Sequence, residues 1–342
     1  MRFVVVTFSL LVLPVVTFAH HALFTYDDSK LVEVRGAVRS ALWRNPHILF
    51  TVSSVSESGQ EELWEIEGLS VNYMERAGIN SDSFNIGDSV AVLGLPSKRD
   101  KNSLFAILTT SASGRKLVMS RDRARSFGLL EENTEPIRPV ASSEQIALAI
   151  RQANGIHRVW TNTSRTGGGI SLPLTDVARA AKESWNQPTD DIALRCEPAG
   201  MPEAMLSPFP IEFLQQDDDI IVRLEEWDNV RTIHMGIGSN EKNPPATSLG
   251  YSVGRWEGRT LVVRTEDINY PYLDDLGTPQ SEAVEIVERF TLSEDENRLD
   301  WVATVVDPNT LTEPVTLPMM HWEWVPGEKI KPYNCTLSDN QG

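Results

Sequence analysis

The chain has 342 residues, with 48 acidic against 31 basic side chains and a formal net charge of −17. Hydrophobic residues make up 41% of it, which is enough to build real cores and excludes bulk disorder. The acidic charge makes nucleic acids and anionic membrane surfaces poor partners, so no nucleic-acid function is expected. The length favours two domains.

The first 19 residues have the pattern of a secretory signal peptide. Arg2 precedes an apolar stretch over residues 3–16, and Thr17-Phe18-Ala19 fits a cleavage site that needs small residues. This stretch is shorter than the roughly 20 residues of a spanning helix, and an uncleaved N-terminal anchor is the alternative. We therefore expect cleavage after Ala19, a periplasmic or secreted mature protein, and no membrane span within it.

Residues 20–118 are predicted to form a small OB-like β-barrel of five strands. Three strand patterns come first, then a short helix that Gly78 ends, and then two further strand patterns. This order of elements is typical of the OB fold. The predicted elements cover residues 31–42, 47–52, 62–66, 70–77, 88–95 and 104–110.

Residues 119–190 are interpreted as a connector with short helices. Ser142 and Gln145 favour the start of one helix, and Thr175 favours the start of another. The glycines at 167–169 form a loop that lacks the Lys-Ser/Thr of a phosphate-binding loop.

Residues 191–342 hold 28 acidic against 11 basic side chains and are predicted to be mainly β. Successive strand patterns with short polar turns favour an antiparallel, lipocalin-like barrel, with a curled open sheet as the alternative. Gly254 is interpreted as a turn residue, and Glu285, Glu288 and Arg289 are interpreted as a solvated or ion-paired strand face. Barrels of this kind often hold one small apolar molecule, and Trp301 and Val305 are the candidate ligand-binding residues.

Cys196 and Cys335 are the two cysteines of the chain. Export would place them in an oxidising compartment, so we predict that they form a disulfide. The alternative is two free thiols that lie too far apart to pair.

Four motifs stand out in the N-terminal part of the chain: His20-His21 at the predicted mature N-terminus, the segment 43–47 (Trp-Arg-Asn-Pro-His), the segment 64–67 and the segment 87–90. Together they resemble a family of exported bacterial proteins with no assigned function. The segments 196–202 and 254–263, the latter beginning Gly-Arg-Trp-Glu-Gly, resemble another group of uncharacterised exported proteins. The resemblance implies an exported protein with an OB-like domain and a β-rich C-terminal domain, and it implies no reaction.

The predicted mature N-terminus has the chemistry of a metal site. After cleavage, the α-amine and the imidazole of His20 could chelate one metal ion, with His47 or His21 as a further ligand. Nitrogen ligands of this kind make copper the candidate metal. The alternative is that His20 and His21 are a polar chain end and that His47 only packs after Pro46.

An enzyme is the second functional hypothesis. His321 and Glu323 share one face of a predicted strand, and they could form an acid–base pair with His234 if that face lines the barrel. The reaction would then be a cofactor-free isomerisation, cyclisation or elimination of an apolar substrate. The first hypothesis remains an exported binding protein for copper, for a small apolar molecule, or for both. The sequence leaves protein partners unknown.

Overall fold

A computed structural model describes most of the chain as a mainly β protein with few helices. Within the described part, no helix is long and apolar enough to cross a membrane. The described residues are 26–56, 58–130, 141–163, 171–236 and 245–337.

The N-terminal barrel closes with the strand order expected of an OB fold. Its sheet order is β3-β2-β1-β4-β5, and a parallel pairing of β3 with β5 closes the ring. A short sixth strand, β6 (Lys116–Val118), pairs with β5. The five closing strands are β1 (Val32–Leu42), β2 (Leu49–Val55), β3 (Glu61–Glu67), β4 (Ser89–Pro96) and β5 (Ser103–Ser111).

Capping residues set the start and the end of one helix in this barrel. The Ser70 side chain accepts a hydrogen bond from the backbone N–H of Tyr73 and starts α1 (Val71–Arg76). Gly78 follows with a φ of +71°, a left-handed conformation that glycine adopts without strain. The helix therefore begins and ends close to its predicted positions, between β3 and β4.

The region 119–190 contains the predicted helices and one strand that was not predicted. Ser142 and Gln145 form a capping box at the start of a helix, and Thr175 caps another. The strand, β7 (Val159–Asn162), pairs with strands of the C-terminal barrel, so that barrel begins before residue 191. The helices are α2 (Arg121–Ser126), α3 (Ser143–Gln152), α4 (Asp176–Ser184) and α5 (Gln187–Asp190). The glycines at 167–169 lie outside the described residues.

The C-terminal strands close a second, larger barrel. Nine described strands form a ring in the order β13-β12-β11-β10-β9-β8-β7-β16-β14, because β13 also pairs with β14. Neighbouring strands are antiparallel except β10 and β11, which are parallel. The remaining strand, β15, lies beside β14. The strands after β7 are β8 (Ile211–Gln216), β9 (Asp219–Leu224), β10 (Val230–His234), β11 (Tyr251–Glu257), β12 (Thr260–Glu266), β13 (Glu285–Leu292), β14 (Arg298–Val306), β15 (Val315–Thr316) and β16 (Met320–Trp324).

The interpretation of Gly254 as a turn residue is wrong, because it lies in the middle of β11. A Cβ atom at this position would lie 2.6 Å from Ile233 Cγ2 and 2.6 Å from Met235 Sδ. The glycine therefore allows β10 and the start of its following loop to approach the β11 backbone closely.

Of the two environments predicted for Glu288, the ion-paired one is found, and the solvated one is not. Alternate residues of β13 are buried, and Glu288 is 0% exposed. Its carboxylate accepts hydrogen bonds from Arg231 and from Trp301 Nε1, the latter at 3.0 Å. Arg231 also donates to Ser252 and Thr265, so one polar row crosses five neighbouring strands inside the barrel. The burial of Glu288 is thus compensated by an ion pair and by hydrogen bonds.

Candidate metal centre

His47 is held in a fixed orientation at the edge of the N-terminal barrel. Its Nδ1 lies 2.9 Å from the backbone oxygen of Gly68 and 2.9 Å from Glu67 Oε1. Both neighbours accept hydrogen bonds, so Nδ1 carries the proton. The neutral ring then has its lone pair on Nε2, the atom that could bind a metal ion. Ligating histidines typically have such a carboxylate or carbonyl on the other ring nitrogen.

The second oxygen of the same carboxylate receives a hydrogen bond from Tyr26. The Tyr26 hydroxyl donates to Glu67 Oε2 at 2.6 Å, and both residues are almost completely buried. Tyr26 also forms an isolated β-bridge with Ser97. The Glu67 carboxylate thus joins the first described residue of the chain to the ring of His47.

The electrostatics of this group are dominated by burial and by Glu67. Burial disfavours the charged form of His47, but the charge and hydrogen bond of Glu67 outweigh it and raise the pKa of His47. Burial, followed by the charge of Glu67, raises the pKa of Tyr26 far above its usual value. Tyr26 therefore remains a neutral hydrogen-bond donor to the Glu67 carboxylate.

The two barrels meet beside His47. Asn45 donates from its side chain to Asn72 at 2.9 Å, and Asn72 donates to Glu225 of the C-terminal domain at 2.9 Å. Arg76 binds both oxygens of Glu225, whose side chain is completely buried. The nearby Glu226 has its pKa raised to about 7, chiefly by burial. The short segment from Asn45 to His47 therefore connects the candidate centre to the interface between the two barrels.

His20 and His21 lie outside the described residues. Within the described ranges, no cluster of three or more histidine, cysteine, aspartate or glutamate residues could hold a metal ion. Of the three histidines predicted as metal ligands, His47 is the one within the described residues.

The residues of the enzyme hypothesis lie on separate parts of the second barrel. Trp322 is buried in the core, so its strand neighbours His321 and Glu323 lie on the opposite face of β16. His321 Nδ1 lies 2.6 Å from Asp300 Oδ1. His234 lies on β10, which three intervening strands separate from β16 in the sheet order, and its Nδ1 lies 2.8 Å from Asp219. The structure does not bring these three side chains together.

Trp301 and Val305, the candidate ligand-binding residues, both point into the packed interior. Trp301 is completely buried, and its ring centroid lies 6.2 Å from that of Trp322. Val305 lines an apolar cleft with Leu317 and others, with a volume of about 10 Å³. This volume has room for about one water molecule. The prediction of a small apolar ligand in this barrel gains no support from these two side chains.

Cys196 and Cys335 are joined in a disulfide, as predicted. The bond connects the start of the C-terminal region to its final described segment. That segment also contacts the N-terminal barrel, because Asn45 and Cys335 form an isolated parallel β-bridge.

Comparison with known proteins finds a family that matches part of the chain and gives no activity. Residues 9–105 match a family of unknown function, DUF6152. The matched segment contains Tyr26, His47 and Glu67, which build the candidate centre. No curated protein matches the chain.

Proposed function

We propose that the chain is an exported protein that binds copper at the edge of its N-terminal barrel. The ligands are the α-amine and imidazole of His20 and the imidazole of His47. The observation that carries the proposal is the Glu67 carboxylate, which accepts hydrogen bonds from Tyr26 and from the His47 ring. The disulfide and the pattern of residues 1–19 support export.

The position of Tyr26 allows His20 to reach His47. His20 lies six positions before Tyr26 in the sequence, and six extended residues span up to about 20 Å. The Tyr26 hydroxyl and the His47 ring share one carboxylate, so the distance to be covered is well within this reach.

The donor atoms favour Cu(II) over the common hard cations. An amine and two imidazoles provide three nitrogens, and Cu(II) accepts a planar arrangement of nitrogen ligands. Calcium and magnesium prefer oxygen ligands. Glu67 serves as the hydrogen-bond partner that orients His47 and is not itself proposed as a ligand.

Copper titration of the protein that begins at His20 tests the proposal. Three variants are compared with it: one with an extra N-terminal Ala, His47→Ala, and His234→Ala as a matched control in the other barrel. We expect weaker Cu(II) binding for the first two and unchanged binding for the control. Electron paramagnetic resonance should show loss of coordinated nitrogen in the first two variants.

Two results would overturn the proposal. If the extra Ala leaves the copper affinity and spectrum unchanged, the terminal amine is not a ligand. If His47→Ala folds and binds copper as the parent does, the third ligand lies elsewhere.

A further inference from the structure

A narrow cleft beside the second barrel is walled by three aromatic rings. The rings of Tyr270 and Tyr272 have centroids 6.2 Å apart and an interplanar angle of 90°. Trp185 meets Tyr272 at 6.4 Å and 77°. Because neighbouring rings are nearly perpendicular, each ring presents either its π face or its edge to the next ring. The three rings together form adjoining walls of the cleft.

Gly277 fixes the position of the Trp185 ring. Its φ is +69°, and a Cβ atom built there would lie 2.2 Å from the ring. The indole therefore lies directly against the backbone, a packing that any side chain at this position would prevent.

Carboxylates complete the wall of the cleft. Glu203 accepts a hydrogen bond from the Tyr270 hydroxyl at 2.6 Å. The charged groups that act most strongly on Glu203 are three other carboxylates, Asp275, Glu226 and Asp191. The neighbouring cations are already engaged, since Lys182 pairs with Asp274 at 3.6 Å and Arg195 with Glu197 at 2.7 Å.

Two further observations describe the cleft and its indole wall. Trp185 Nε1 is buried and has no hydrogen-bond partner within the described part of the chain. The cleft has a volume of about 10 Å³ and is partly open to solvent. Such a volume accommodates a group of about the size of one water molecule.

We propose that this cleft binds a primary ammonium group, between the three rings and the carboxylate of Glu203. An ammonium group is about as large as a water molecule and provides three donors for carboxylate oxygens. Aromatic faces attract it as well. A quaternary ammonium ion is too large for this volume and has no N–H to donate.

The ionisation of Glu203 gives the site a pH dependence. Burial, together with the charges of Asp275, Glu226 and Asp191, raises the pKa of Glu203 to about 8, while the Tyr270 hydroxyl opposes the shift. An entering ammonium group therefore displaces a proton at neutral pH. The ionised fraction of such a carboxyl rises about tenfold between pH 7 and pH 9, and affinity should rise with it.

Isothermal titration calorimetry of the full chain at pH 8.5 tests the proposal with two primary amines. Ethanolamine represents a free small amine, and Nα-acetyl-lysine amide represents the lysine side chain of a partner protein. Binding of one or both supports the site and identifies its source of ammonium. Tetramethylammonium is expected not to bind. The absence of binding by both amines, or equal binding of tetramethylammonium, would overturn the proposal.

Three variants test whether the amines bind in this cleft. Glu203→Gln keeps the shape of the side chain and removes its charge, and we expect an affinity loss of about tenfold or more. Tyr272→Leu removes one ring and should also weaken binding, which protects the test if Glu203→Gln folds poorly. The control is Glu212→Gln, which removes a carboxylate of β8 that pairs with Arg223. This variant should bind as the parent does. Unchanged binding in Glu203→Gln and Tyr272→Leu would exclude this cleft.

Discussion

Arg231 and Glu288 form an ion pair that is enclosed inside the C-terminal barrel, with side chains 1% and 0% exposed. Both also form hydrogen bonds to neighbouring strands, since Ser252 and Thr265 accept from Arg231 and Trp301 donates to Glu288. A buried pair of this kind depends on both partners, because either charge alone would be left without compensation.

Arg231→Met should therefore destabilise the second barrel strongly. Removing one partner of a buried pair costs about 3–5 kcal/mol of unfolding free energy. Adding Glu288→Leu to Arg231→Met should recover about half of this loss or more, because the unpaired charge disappears as well. Urea unfolding followed by tryptophan fluorescence measures both effects.

The matched control is the exposed pair of Arg264 and Glu285, whose atoms lie 3.0 Å apart. Arg264→Met should cost about 0–1 kcal/mol, since solvent screens such pairs. Equal losses for Arg231→Met and Arg264→Met would contradict the role assigned to burial.

The alternating pattern of β13 by itself predicts that the side chain of Glu288 is buried. Glu288 is in phase with Ile286 and Phe290, which are buried, so period two places its side chain inside. Its partner Arg231 lies 57 residues away, and nothing local indicates the pairing. The position of Gly254 was unpredictable for the same reason. A glycine within a strand often marks the close approach of another strand, and the local sequence does not show that approach.

The candidate metal centre was predictable only through His47. The order of strands and the short helix led to the OB-like barrel, and the segment Trp43 to His47 indicated where a ligand could lie. The hydrogen bond between Tyr26 and Glu67 joins residues 41 positions apart. Closure of the barrel brings them together, and the spacing of residues in the sequence does not predict this contact. Glu67 ends an alternating strand and reads in isolation as a solvated residue.

Glu67→Gln should weaken copper binding without removing a ligand, if the proposed function holds. The amide still accepts one hydrogen bond but loses the charge that orients the His47 ring, and such changes typically cost 10–100-fold in metal affinity. Glu62→Gln, which makes the same change elsewhere on β3, serves as the control. Competition titrations with a copper chelator would measure the difference, and equal affinities would contradict the orienting role of Glu67.

Removal of the disulfide should destabilise the chain and release its final segment. The bond joins residues 139 positions apart, and the chain-entropy model gives about 4–5 kcal/mol for a loop of this size. Cys196→Ser with Cys335→Ser should show this loss in urea. Faster hydrogen exchange is also expected at the amide of Thr336, which donates to Asn45. Unchanged exchange there would show that the segment stays bound without the disulfide.

Arg76 should couple the unfolding of the two barrels. It binds Glu225 and Glu328 of the C-terminal domain, and both side chains are almost completely buried. Arg76→Met leaves these carboxylates without their cation, and we expect a loss of about 3–5 kcal/mol at the interface. Calorimetry should then resolve two transitions, one per barrel. Arg35→Met, an exposed residue of β1 paired with Glu33, should leave the transition unchanged.

Glu203→Gln should stabilise the chain at alkaline pH and leave it nearly unchanged at acidic pH. The folded protein raises the pKa of Glu203 from 4.5 to about 8, so between these values the folded state holds a proton that the unfolded chain has released. Stability from this group is therefore present below pH 4.5 and is lost as the pH rises towards 8. The uncharged amide has no such dependence. Melting temperatures at pH 5 and pH 9 measure the effect, with Glu212→Gln as the control. A difference between parent and Glu203→Gln that is the same at both pH values would show that the carboxyl of Glu203 ionises normally in the folded chain.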